Sequence, residues 1–164
     1  MMNYEFEKVK EEYLPELLDI YTYYVLNTTA TFHEKPLSIS EMRELVIFKD
    51  SKYETYVIKD GTQLCGYVIL TQHKKREAYD NTGEITIYLK SDYIGKGIGS
   101  RAITFIECIA KSKGFHVLIA TICGENEKSI RLFERNGYVK CAHYKEVGRK
   151  FGNWLDLVAY QKLI

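Results

Sequence analysis

Residues 84–114 read EITIYLKSDYIGKGIGSRAITFIECIAKSKG, and the order strand, glycine turn, helix within them decides the fold. Glu84-Ile85-Thr86-Ile87-Tyr88-Leu89 is rich in β-branched and aromatic side chains and predicts a strand. Gly95-Lys96-Gly97-Ile98-Gly99 then sets three glycines at the head of a helical pattern. Glycine there permits positive φ and close approach of the backbone to a ligand. The helix runs on through Ile98, Ala102, Phe105, Ile106 and Ile109 as one apolar stripe. Lys111 and Lys113 suit the negative end of its dipole, and Gly114 stops it. The first amides of such a helix lack intrahelical acceptors, so the turn is suited to a phosphate.

Phe115 to Cys123 (FHVLIATIC) follows as a nearly continuous apolar strand, as expected of one covered on both faces. Strand, helix and strand in that span make a βαβ unit, so its two strands should be parallel. Before it, Asn3–Val9 alternates as a short strand, and Tyr13–Asn27 has helical spacing with Pro15 in its first turn. Thr28–His33 reads as a loop in which Phe32 is either a core plug or a pocket wall. Ser38-Ile39-Ser40-Glu41 has capping-box form, opening a second helix through Met42, Leu45, Val46 and Phe48. Tyr53–Lys59, the turn Asp60-Gly61 and Gln63–Gln72 make a hairpin, with Gly66 marking a bulge. After the βαβ unit, Asn126 is placed to cap a short helix over Glu127–Asn136. Tyr138–Val147 and Trp154–Gln161 are final strands joined by GRKFGN. The order is β-α-α-β-β-β-α-β-α-β-β, an α/β (α+β) class fold in one domain over residues 1–164. It predicts a mixed, mostly antiparallel twisted sheet of about seven strands with helices on both faces and one parallel junction.

Composition narrows the function classes. Lys+Arg 23 against Asp+Glu 22 leaves no basic surplus, which argues against a nucleic-acid partner. No apolar run is long enough to span a membrane, and MMNYEFEKVK has no apolar leader core, so the expectation is cytoplasmic. Cys65, Cys108, Cys123 and Cys141 lack metal-ligand spacing and read as buried reduced thiols, with no metal expected. Fourteen tyrosines suggest amphipathic packing and an aromatic subunit interface.

Four readings of the glycine turn compete. A Walker A loop requires G-x-x-x-x-G-K-[ST], which the turn does not match. A dinucleotide fingerprint requires G-x-G-x-x-G; here the third glycine comes one residue early and no second mononucleotide half follows. A purely structural turn is the plain alternative. The fourth is a coenzyme A pyrophosphate site, and it is favoured by what else the chain contains. Tyr93-Ile94-Gly95-Lys96-Gly97-Ile98-Gly99-Ser100 resembles the acyl-CoA motif of the GNAT N-acetyltransferase superfamily. Asn126-x-x-Ser129 with Leu132-Phe133-Glu134-Arg135-Asn136-Gly137-Tyr138 resembles the superfamily's second CoA-contacting helix. Ala30-Thr31-Phe32, Arg76-x-Ala78-Tyr79, Glu84-x-x-Ile87-Tyr88 and above all EVGRKFGNWLDL over residues 146–157 resemble the phosphinothricin acetyltransferase and L-amino acid N-acyltransferase group.

The resemblance implies transfer of acetyl from acetyl-CoA directly to the primary amine of a small amino-acid-like substrate, in a homodimer. It implies that Gly95, Lys96, Gly97, Ile98, Gly99 and Ser100 cradle the pyrophosphate and that Ile87, Tyr88 and Leu89 align the pantetheine arm. Asn126 would add a side-chain hydrogen bond, and the Leu89 amide would face the thioester oxygen. Glu84 would take the amine's proton, and its plain alternative is a solvated strand-end acid. Substrate recognition falls to Phe32, Lys74, Arg76, Tyr79 and Thr86, with Arg76 suited to a carboxylate. Trp154 reads as a packing residue. Two residues depart from the pattern. Phe133 stands where the family places a Tyr or His proton donor, leaving Tyr88 as a substitute, and Ile94 replaces a common Arg or Gln. The alternatives are another amine (a polyamine, an antibiotic or a peptide N-terminus) and a non-catalytic CoA-binding sensor.

Overall fold

A computed structural model describes residues 3–164; Met1 and Met2, at the head of the segment read as lacking a leader, lie outside the described residues. Among those residues, seven strands form one sheet: β1 (Tyr4–Lys8), β2 (Glu54–Asp60), β3 (Gln63–Gln72), β4 (Thr82–Leu89), β5 (Val117–Cys123), β6 (Val139–Lys150) and β7 (Asn153–Leu163). Four helices join them: α1 (Leu14–Asn27), α2 (Ile39–Val46), α3 (Ile98–Ser112) and α4 (Glu127–Arg135). The spatial order is β1-β2-β3-β4-β5-β7-β6, and only the β4–β5 pair is parallel.

The sheet carries a core on each face. Leu14, Leu17, Tyr21 and Val25 of α1, with Met42 and Val46 of α2, cover Val57, Tyr67, Ile69 and Tyr88. On the other face Ile98, Ala102, Ile103 and Ile106 of α3, with Phe133 of α4, cover Val68, Leu70, Ile85 and Leu118. The expected capping box is present: Glu41 N donates to Ser38 Oγ at 3.2 Å and Ser38 N to Glu41 Oε2 at 2.7 Å. α2 stops at Val46, short of the expected Phe48, because Ile47 turns extended and Phe48 instead packs edge-on to Tyr53. At the end of α3, Gly114 N reaches Lys111 O and Phe115 N reaches Ala110 O, both at 3.1 Å, with Gly114 at φ +80°: the paired bonds of a Schellman stop.

Two details of the sheet set up the site. The β2–β3 register slips opposite Gly66, the bulge expected there. A Cβ at Gly66 would also lie 2.3 Å from Tyr88 O, so β3 and β4 are held in close contact by the missing side chain. The parallel β4–β5 pairing covers only Thr82↔Val117, Gly83↔Leu118 and Glu84↔Ile119. Beyond Ile119, β5 pairs with β7 alone and β4 with β3 alone. The two central strands therefore part like a V. That parting corrects the reading of β5 as covered on both faces: Thr121 is exposed.

Several other expectations change. The closing hairpin is tighter than GRKFGN implies. Both strands run on to Lys150 and Asn153, and Phe151 (φ +50°) and Gly152 (φ +78°) form a two-residue turn. Cys65 and Cys123 are buried as expected, whereas Cys108 and Cys141 are exposed because they lie on outward faces of α3 and β6. The tyrosines serve mainly inside the molecule. Tyr21, Tyr24, Tyr67 and Tyr88 form a cluster with ring centroids 5.0–5.6 Å apart around Tyr88. Trp154 does not pack within the chain; it is 61% exposed, with Arg149 over its ring at 5.3 Å.

Candidate active site

The V between β4 and β5 opens into a cleft of ≈ 1220 Å³. Its floor is the free edge of β4. Lys90 N donates to Cys65 O on β3 at 2.8 Å, and alternate amides of a strand point the same way. The Ile87 and Leu89 amides therefore point away from β3, into the cleft. Tyr24 Oη donates to Leu89 O at 2.5 Å, tying α1 to the end of that edge.

One wall is the glycine turn and the first residues of α3. Gly95 (φ +82°) and Gly97 (φ +78°) have open space where a Cβ would sit, so it is their left-handed backbone that requires glycine. Gly99 is different: a Cβ there would meet Leu132 Cδ2 at 2.7 Å, so it brings α3 against α4. Gly97 is the N-cap of α3 and supplies no side-chain cap. The first intrahelical bond is Arg101 N to Gly97 O, at 3.3 Å. The Ile98, Gly99 and Ser100 amides thus have no acceptor within the helix, and they sit at its positive end facing the cleft. Lys96 does not line the cleft; its ammonium lies 4.9 Å over the Tyr93 ring on the outer side of the turn.

The opposite wall is α4. Asn126 Oδ1 accepts from Ser129 N at 3.2 Å, which caps the helix and leaves the Asn126 amide NH₂ for another partner. Phe133 is buried at the bottom, edge-on to Tyr138 at 5.1 Å. The far end is closed by the loop of residues 28–33. Tyr21 Oη bridges Thr31 Oγ1 (2.7 Å) and His33 Nδ1 (2.5 Å), and the buried Lys150 ammonium donates to Thr31 O (2.8 Å). Burial without a carboxylate hydrogen bond pulls the Lys150 pKa down. Phe32 is part of this wall rather than a core plug. It seats on Gly148 of β6, where a Cβ would lie 2.5 Å from Phe32 Cε2.

Glu84 stands on the other side of the sheet from α3. Side chains alternate along β4, so Glu84, Thr86 and Tyr88 share the face covered by α1 and α2. Its Oε1 is 2.7 Å from His73 Nδ1, and both side chains are about a quarter exposed or less (25% and 19%). Glu84 is therefore held by a hydrogen bond at the closed end of the strand split, where it is the last β4 residue paired with β5, and is not a loose strand-end acid. Its partner His73 lay within a charged turn and carried no sequence signal; only the β3–β4 register brings it across. Along the same face, Thr86, Tyr88, Ile69 and Thr71 floor a smaller pocket of ≈ 310 Å³ walled by Glu44, Leu45 and Phe48 of the α2 region. Lys74 lies 5.2 Å over the Tyr79 ring, and that ring meets His73 edge-on at 5.7 Å. Arg76 is exposed at the head of the short turn containing Tyr79. Tyr88 is a poor proton donor here, because burial raises its hydroxyl pKa well above the ordinary value.

Residues 16–138 match the Acetyltransferase (GNAT) family. The chain belongs to that family. Among its relatives, the phosphinothricin N-acetyltransferase of Streptomyces coelicolor is 32% identical over 93% of this chain and 91% of its own. An L-methionine sulfoximine/L-methionine sulfone acetyltransferase of Pseudomonas aeruginosa is 32% identical over 90% of this chain and 87% of its own. The crystal structure of a GNAT superfamily phosphinothricin acetyltransferase from Sinorhizobium meliloti, in complex with AcCoA, superposes with a TM-score of 0.93 at 29% identity. That match covers 100% of this chain and 89% of the other. The GNAT fold of this chain thus presents an uncapped helix end and a free strand edge on one side of a split, and a hydrogen-bonded carboxylate on the other.

Proposed function

We propose that the protein, as one domain over residues 1–164, transfers acetyl from acetyl-CoA directly to the primary amine of a small amino acid of the phosphinothricin or methionine sulfone and sulfoximine type. The observation that carries this reading is the split itself. A helix end suited to an anion lies on the α3 face, Glu84 lies on the α1–α2 face, and the gap between β4 and β5 opens directly beyond Glu84. The residues fit the co-substrate. The free α3 amides suit a pyrophosphate. The exposed Ile87 and Leu89 edge suits the two amides of a pantetheine arm, added like an extra strand. The Asn126 NH₂ offers one more donor. When bound, acetyl-CoA supplies an acetyl group activated as a thioester.

The chain's own residues do the rest. The Leu89 amide points where the carbonyl oxygen gains negative charge, and a preorganised donor there is worth roughly 3–4 kcal/mol of barrier. Glu84, oriented by His73, takes the ammonium proton and frees the nitrogen lone pair for attack. Thr86 and Phe32 bound the space around that nitrogen, while Lys74, Arg76 and Tyr79 supply charge and ring surface for the substrate carboxylate. Lys96, turned away over Tyr93, adds only long-range positive potential. Phe133 offers no proton, and burial makes Tyr24 and Tyr88 weaker acids than usual, so the chain leaves protonation of the thiolate to solvent.

The test is release of free thiol from acetyl-CoA with a panel of amino acids, polyamines and short peptides. Saturable release with α-amino acids supports the reading. Preference for carboxylate-free amines would move it to another amine class. Tight acetyl-CoA binding without turnover on any amine would replace it with a CoA sensor.

The working unit in this reading is a homodimer. β6 is one of the two outer edges of the sheet, β1 being the other, and the β6–β7 hairpin exposes Tyr144, Val147, Phe151 and Trp154, each more than half exposed. Trp154→Asp combined with Val147→Asp is expected to shift sedimentation from dimer to monomer. A wild-type chain that sediments as a monomer at micromolar concentration would remove the dimer. Free cysteines suit a reducing compartment, and the cytoplasm, where acetyl-CoA is available, is the proposed location.

A further inference from the structure

The ≈ 310 Å³ pocket on the α1–α2 face says which side chain the amino acid carries. It adjoins the proposed base. Thr71 is the cross-strand partner of Glu84, and Thr86 lies two residues further along β4, so both share its face. An amine held against Glu84 can therefore extend its side chain over Thr71 and Thr86 toward α2. The far wall there is Glu44 and Leu45 of α2 together with Phe48, just past the helix end. Leu45, Phe48 and Ile69 make the lining apolar.

Glu44 is the one charged residue in that lining. Among the described residues no hydrogen bond or ion pair to its carboxylate is recorded. The neighbouring cation, Arg43, is committed to Glu11, with Nε 2.9 and 3.0 Å from its two oxygens. The cations near Glu84, Lys74 and Arg76, belong to the β3–β4 turn at the other end. The pocket thus has an apolar wall, a solvent-exposed carboxylate without an ion-pair partner at its rim, and no lining cation.

We infer that the substrate's side chain is uncharged, and that Glu44 is the specificity residue that turns away an anionic one. This rests on the amino-acid acetyltransferase reading above. The chemistry offers a clean comparison. Methionine sulfone and phosphinothricin have side chains of the same length and nearly the same shape, ending in a methyl sulfone and a methyl phosphinate. They differ by one negative charge. Methionine sulfoximine has the same shape, is neutral, and adds an N–H that a carboxylate can accept from. Repulsion of a phosphinate a few ångströms from Glu44 at the protein surface corresponds to on the order of tenfold in kcat/KM. Discrimination by repulsion of this kind is a common route to specificity.

The experiment measures kcat/KM for L-methionine sulfone, L-methionine sulfoximine and L-phosphinothricin at low ionic strength. It uses the wild-type chain, Glu44→Gln and Glu44→Lys, with acetyl-CoA binding followed in parallel by calorimetry. The wild type is expected to favour both neutral amino acids over phosphinothricin by about tenfold or more. Glu44→Gln should narrow that gap to within about threefold, and Glu44→Lys should invert it. Equal wild-type use of sulfone and phosphinothricin, or a gap that survives in both variants, overturns the assignment. If acetyl-CoA binds while all three amino acids are inert, the amino-acid acetyltransferase reading fails, and this inference with it. That outcome is distinct from turnover with an unmoved preference.

Discussion

Glu84→Gln is expected to lower kcat by about 10²–10⁴-fold at neutral pH, the usual contribution of a positioned general base. Gln keeps the size of Glu84 and can still hydrogen-bond His73, so the fold and the pocket should persist. What it loses is the capacity to accept the ammonium proton. The loss should therefore be largest at low pH, where the amine is almost wholly protonated, and should shrink as pH rises and free amine becomes abundant. KM for acetyl-CoA should change little, because the cleft that receives it opens on the opposite side of the strand split. Initial rates over a pH series with saturating acetyl-CoA provide the check. A variant whose kcat stays within about threefold of wild type throughout would remove Glu84 from proton transfer.

The second large effect concerns the anion end. Gly97 adopts φ +78° at the head of α3 with nothing within 4 Å of where a Cβ would sit. Gly97→Val meets no steric neighbour, but a β-branched residue is strained in that region by about 1–3 kcal/mol. The relief is to rotate the turn, and the Ile98 and Gly99 amides then lose their aim. A hydrogen bond to a charged group is worth about 1.5–3 kcal/mol, so a total near 3 kcal/mol is expected, roughly a hundredfold increase in KM for acetyl-CoA. The amine KM and the melting temperature should move far less. Titration calorimetry with CoA separates the outcomes: unchanged affinity would show that the turn does not hold the pyrophosphate. A fall in affinity matched by wholesale unfolding would move Gly97 to a structural role.

Much of the site was legible before any tertiary contact was known. The glycine turn announced itself because positive φ is a local property, written into residue type at Gly95 and Gly97. The Ser38–Glu41 capping box and the Asn126 cap were legible for the same reason: each is completed within one turn of its own helix. Strand order along the chain followed from periodicity. Where the Lys96 side chain lies, over the Tyr93 ring, was not legible because composition cannot tell which way a turn side chain leaves the backbone. The exposed Cys108 and Cys141 were misread because residue type gives only an average tendency to burial.

What stayed hidden was everything made by residues far apart in sequence. His73 meets Glu84 only through the register of β3 on β4. Lys150 reaches the Thr31 carbonyl across 119 residues, and Phe32 needs the vacancy at Gly148. Glu44 had no signal at all, since it is an exposed acid on a helix face and only the fold shows the pocket beside it.

The sequence by itself determined the element order, the α3 turn that can receive a phosphate, and the acid at the head of β4, because each depends on bonds and dihedrals within a short span. Only the tertiary structure decided that β4 and β5 part after Ile119, with the α3 turn on one face of the sheet and Glu84 on the other. The parting is a competition for hydrogen bonds: beyond Ile119, β5 continues on β7 and β4 on β3, and the edge left over faces a cleft. No residue type along either strand specifies that choice, because it is settled by which partner strand each can reach.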